Sequence, residues 1–144
     1  MSQDVDEVLA RRFEGCRLVP HLCPAGVPSI GYGTTHYEDG TAVRLDDQPI
    51  SHERAVDLLR HHLETVSRPA VRRLMGQLSS RRHGAMSDFV YNLGAKNLQH
   101  STLRRKALAG QWEDVPAELM RWTRGGGRVL KGLVLRRQAE ADLV

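Results

Sequence analysis

Glu14, Cys23 and Ser29 are the residues whose types and spacing could do chemistry. Glu14 ends an amphipathic segment, Cys23 stands nine positions later, and Ser29 six after that, just ahead of Ile30-Gly31-Tyr32-Gly33. One carboxylate set across a cleft from short polar side chains suits acid-catalysed cleavage of a bond between sugars. The acid delivers a proton to the leaving oxygen while water is held on the opposite face. A carboxylate beside the negative end of a helix, and partly out of water, keeps its proton more readily, as a general acid must. Each residue also has a plainer reading. Glu14 could be a surface acid or the partner of Arg17, Cys23 a small core residue, and Ser29 a turn residue. His21 is the histidine nearest Cys23, but Pro20 and Pro24 spoil the regular strand on which a thiol and an imidazole would share a face.

The elements that must position these residues are legible from periodicity. Val5, Val8, Leu9 and Phe13 recur at helical spacing, so residues 3 to 14 read as a helix, acids first and arginines last, as the macrodipole prefers. Pro20, Pro24, Gly26 and Pro28 then exclude helix, and Asp39-Gly40 signals a hairpin turn between Gly31-Tyr32-Gly33 and Thr41-Ala42-Val43. Residues 17 to 46 therefore read as a small antiparallel sheet. Ser51 is a candidate N-cap for a helix carrying Ala55, Leu59, Leu63 and Val66, which Pro69 ends or bends. Beyond it no strand is signalled. Residues 70–78, 80–93, 101–109, 113–122 and 133–143 read as helices, punctuated by glycines. The fold class is α+β, with a small sheet-bearing lobe over about 13–50, a connecting helix over about 51–67, and a helical lobe over about 68–144 packed with the first helix. These 144 residues form one domain in this reading.

Composition bounds the partners. Hydrophobic residues make up 40% and charged residues 26% of the chain, a globular balance. No apolar run approaches the roughly 20 residues that cross a bilayer. The acidic start lacks the basic region, apolar core and cleavage site of a secretory signal, so no route of self-export is expected. The net charge of +4 favours an anionic polymer: nucleic acid, membrane surface or bacterial wall. Its arginines are dispersed, whereas a nucleic-acid-binding domain would concentrate them on one face. Cys16 and Cys23 are the only cysteines. They could form a disulfide, but reduced thiols are the default in a cytosolic product. His61-His62 diverge on a helix and make a poor metal pair, so no structural metal is expected.

Residues 13 to 33 resemble the catalytic segment of phage-type lysozymes, the endolysins of glycoside hydrolase family twenty-four. Their pattern is Glu, eight residues, Asp or Cys, five residues, Thr, then an Ile-Gly-x-Gly strand. Glu14, Cys23, Ser29 and Ile30-Gly31-Tyr32-Gly33 fall on it. Ser87-Asp88-Phe89-Val90-Tyr91-Asn92-Leu93-Gly94 resembles the family's core helix. Ser101-Thr102-Leu103, Arg121-Trp122, Gly126-Gly127 and Gly132-Leu133-x-x-Arg136-Arg137-x-x-Glu140 resemble its later blocks. The likeness spans nearly the whole chain. It departs at Ser29, where the family has Thr, and at Thr34, where it usually has His.

The resemblance implies a lysozyme-like fold and hydrolysis of the β-1,4 bond between N-acetylmuramic acid and N-acetylglucosamine in peptidoglycan. Glu14 would be the general acid, with Cys23 and Ser29 positioning the attacking water. With a thiol in place of a second carboxylate, inversion is favoured over a glycosyl-enzyme. Tyr32 and Asn92 are candidate glycan contacts. The partner is the bacterial wall, with no cofactor, no nucleic acid, no stable membrane insertion and a monomeric state. The family further implies storage in the host cytoplasm and release to the periplasm at lysis through a separate holin-type pore. The contrasting expectation is a catalytically weak or inactive lysozyme fold that binds the wall or serves in the virion, which Cys23, Ser29 and Thr34 invite.

Overall fold

A computed structural model describes residues 4–144; residue 3, where the first helix was expected to begin, lies outside the described residues. Helix α1 runs Val5–Glu14 and stops at Gly15, whose φ of 66° an L side chain rarely adopts. Its first-turn acids do more than meet the macrodipole. Asp6 is buried and accepts two bonds from Arg68 at 2.8 and 2.9 Å, while Glu7 accepts one from Arg60 at 2.6 Å. These pairs tie α1 to the long helix that follows the sheet.

Strands β1 (Arg17–Leu22) and β2 (Pro28–Gly31) pair antiparallel. The register shifts between Arg17 and His21, in the stretch containing Pro20, which has no N–H to give to the ladder. The sheet is smaller than residues 17 to 46. The Asp39-Gly40 turn forms, with Gly40 N–H on the Tyr37 carbonyl, but it closes a single His36–Ala42 bridge. Gly31-Tyr32-Gly33 does not pair with Thr41–Val43. It turns back on itself instead, with Ile30 and Thr34 exchanging two 2.9 Å backbone bonds.

Ser51 caps α2 (His52–His62), its hydroxyl accepting from the Arg54 N–H at 3.0 Å. Pro69 does not end the rod. A π-helical turn over Leu63–Ser67 leads into α3 (Arg68–Met75), so Pro69 sits in a first turn, where its missing N–H costs little. The rest is α4 (Ser80–Leu93), α5 (Ala95–Gln99), α6 (Thr102–Leu108), a 3₁₀ turn over Trp112–Asp114, α7 (Val115–Leu119) and α8 (Lys131–Ala141). Helix α5 and a two-residue hairpin, β3 (Arg124–Gly125) with β4 (Arg128–Val129), went unread in the sequence. Both are shorter than the window in which periodicity can show. The main core surrounds α4, where Phe89 is fully buried and meets Trp122 edge-on at 5.5 Å. A second core under the sheet joins Ala10, Tyr32, Ala55, Leu59 and Leu63.

The rod carries a pH-sensitive packing contact. The His62 ring meets Tyr91 edge-on at 5.0 Å, and burial, with His61 beside it, pushes its protonation below the usual histidine range. A histidine more easily charged in the unfolded chain stabilises the fold above about pH 6.5 and loses that contribution as pH falls further. Each such residue can supply a slope of at most about 1.4 kcal/mol per pH unit. His62→Phe should therefore flatten the fall of melting temperature between pH 7 and pH 5. An unchanged slope would place the acid sensitivity elsewhere.

Candidate active site

Glu14 closes α1 at the rim of a cleft of about 630 Å³ lined by Glu14, Gly15, Cys16, Arg17, His21, Leu22, Cys23 and Pro24. Its side chain is 21% exposed, open to the cleft on one side and held on the other. Oε1 accepts from Arg136 Nη1 at 2.6 Å. Oε2 packs over Gly33, where a Cβ would stand 3.0 Å away. Gly33 has a φ of 82°, so both the space and the backbone ask for glycine. The turn that carries it is fastened to the helical lobe by the Tyr91 hydroxyl, which donates to the Tyr32 carbonyl at 2.5 Å.

Arg17 shares the cleft but is not the partner of Glu14; Arg136 is. Behind the acid, Arg136 is 3% exposed and donates from its other two nitrogens to Asp88, Nε to Oδ2 at 2.9 Å and Nη2 to Oδ1 at 2.7 Å. Phe13 covers this guanidinium, its ring centroid 5.9 Å away. A guanidinium presents donors in a rigid planar fork, so one residue spans both carboxylates, which a lysine could not do. Arg136 and Asp88 lie in blocks that resemble the family's, with no role marked by their local sequence. The available signal was an arginine and an acid, each in an otherwise core-facing helix.

The structure brings Glu14 and Cys23 to one cleft. Cys23 is partly buried, and both it and Cys16 are free thiols. Ser29 is 2% exposed and sits one layer back, opposite His21 across the β1–β2 ladder, its Oγ 3.5 Å from His21 Nε2. His21 is among the residues that line the cleft, with its Nε2 toward Ser29 and its Nδ1 buried. The two candidate glycan contacts lie outside this lining. The Tyr32 ring is 4% exposed, packs in the second core and donates its hydroxyl to His52 at 2.8 Å or accepts from it, according to the imidazole tautomer, so it does not face the cleft. The Asn92 carboxamide is half-buried near the end of α4, where its oxygen accepts from Arg137. It too is absent from the cleft lining.

A two-lobed α+β fold, with a lone carboxylate at a helix end facing a small hairpin across a cleft, defines the lysozyme class. The phage lysozyme model matches residues 11–140, and the chain belongs to that family. It is 33% identical over 140 residues to an endolysin of Acyrthosiphon pisum secondary endosymbiont phage 1, covering 94% of this chain and 92% of that one. It is 34% identical over 131 residues to a SAR-endolysin of Bacteriophage PS119, covering 91% and 75%. Among solved structures it resembles an endolysin from the Escherichia coli phage FAHEc1, at TM-score 0.85 and 27% identity over 99% of this chain and 92% of that one. It also resembles the muramidase domain of SpmX from Asticaccaulis excentricus, at TM-score 0.81 and 27% identity over 98% and 95%. The protein is a glycoside hydrolase of the lysozyme type that acts on peptidoglycan.

Proposed function

We propose that the protein cleaves the β-1,4 bond between N-acetylmuramic acid and N-acetylglucosamine, with Glu14 as general acid. The observation that carries this reading is the Glu14 carboxylate, fixed by Arg136 and open to the cleft that Cys23 and His21 line. Glu14 delivers its proton to the glycosidic oxygen as the bond to the leaving sugar breaks. Water enters from the hairpin side, held by the Cys23 thiol. Ser29 Oγ and His21 Nε2, 3.5 Å apart, back that side of the cleft. The cleft has no second carboxylate in its lining, which favours direct displacement with inversion.

The wall is the partner that fits the +4 charge. Many of the arginines are already engaged, Arg54 with Glu38, Arg60 with Glu7, Arg68 with Asp6 and Arg121 with Glu118. That speaks against a concentrated nucleic-acid face. None of the helices among the described residues is long and apolar enough to cross a membrane. Action as a monomer after release from the host cytoplasm through a separate pore is part of this proposal, of which the relatives' name, endolysin, supports the lytic role alone.

The deciding measurement is release of new reducing sugar ends from purified peptidoglycan. Wall binding without new ends would assign the protein to the non-catalytic alternative. Within that assay, Cys23→Asp should keep or raise the rate, because a carboxylate activates water better than a neutral thiol. Cys23→Ala should lower it. If the Ala variant and thiol-blocked protein both run at the full rate, Cys23 is a packing residue only.

A further inference from the structure

Behind Glu14 lies more charge than a single ion pair requires. Helix α4 supplies Asp88, and α8 supplies Arg136, Arg137 and Glu140, all of them buried. With Glu14 these make three carboxyl groups and two guanidiniums in one water-poor space. Arg136 gives one N–H from each of its three nitrogens, two to Asp88 and one to Glu14. Asp88 is therefore the group that aims the guanidinium, and it is also the nearest negative charge that competes with Glu14 for it.

We propose that Asp88 is a positioning residue for the general acid, fixing the direction of the Arg136 Nη1–H and offsetting the positive charge that would otherwise hold Glu14 ionised. The proposal rests on Glu14 being that acid. A guanidinium bound to two carboxylates divides its pull between them. One bound to Glu14 alone would favour the ionised form and remove the proton that the leaving oxygen needs. The other groups facing Asp88 fit this assignment. Glu140 is fully buried, and burial, with the Asp88 charge beside it, pushes its protonation well above the usual carboxylate range. Asp88, which accepts two N–H groups from Arg136, is the one of the two that carries the negative charge. Arg137 Nε lies 3.1 Å from Glu140 Oε1, but its N–H is not aligned on that oxygen. Tyr91, one turn further along α4, stays neutral because burial and the surrounding carboxylates raise its hydroxyl far above neutral pH.

The test is the pH profile of kcat in variants that keep shape and change charge. Asp88→Asn should move the alkaline limb to lower pH, giving roughly tenfold loss near pH 7.5 and much less near pH 5, with KM within about twofold. Glu140→Gln alone should leave the profile in place, because it exchanges a protonated carboxyl for an amide. The double variant should move the limb further than Asp88→Asn, since Glu140 can no longer ionise in place of Asp88. An unmoved profile in both Asp88 variants overturns the proposal, and a shift in Glu140→Gln alone gives the charge to Glu140 and overturns it too. Should the Asp88 variants not fold, carboxyl ¹³C NMR of the unaltered protein decides. Asp88 must remain ionised and Glu140 protonated from pH 5 to pH 8, and the reverse assignment defeats the proposal. Glu14→Gln separates the two readings. If it remains active, the general-acid assignment fails; if it is inactive while the Asp88 profile stays unmoved, only the positioning role fails.

Discussion

Glu14→Gln should lose about 10² to 10⁴ in the rate of reducing-end release, the usual contribution of a positioned general acid. The amide keeps the shape and can still accept from Arg136 through its oxygen. It has no proton to give at neutral pH. The melting temperature should change little, because the side chain is 21% exposed at the cleft rim and its partner retains Asp88. Wall binding should persist, since the amide alters one group in a cleft with seven other lining residues. A purified variant that hydrolyses peptidoglycan at near the wild-type rate would remove Glu14 from the mechanism.

Arg136→Met should damage both rate and fold. Methionine fills much of the volume under Phe13 but leaves Asp88, itself fully buried, without its two donors. Removing one member of a buried pair typically costs about 3–5 kcal/mol, because the remaining charge stays uncompensated. For a chain of this size that is a fall of roughly 10 °C in melting temperature. Glu14 would at the same time lose the contact that fixes its rotamer. Arg136→Lys should recover part of the stability and little of the rate, since an ammonium cannot span both carboxylates. A Met variant that melts with the wild type would show that Asp88 finds other partners.

The sequence by itself determined what short-range physics controls. Helical spacing located α1, α2 and α4 closely, because an amphipathic stripe must face a core wherever the helix packs. Ser51 and Asp39-Gly40 were readable because a cap and a turn are satisfied within three or four positions. The pairing of Glu14 with Cys23 in one cleft also follows from a helix end and a hairpin adjacent in the chain. Tertiary structure alone decided which charges meet. Arg136 reaches Glu14 across 122 positions and Asp88 across 48, and nothing local to any of the three marks its partner. It likewise decided that Tyr32 turns into the core and that Ser29 is buried against His21. Tyr32 turns inward because Ala10 of α1 and Ala55, Leu59 and Leu63 of the helix after the sheet meet there, residues far from it in the chain. A residue's type limits what it can do, but packing decides the neighbours with which it does so, and at a buried charge the neighbours set the chemistry.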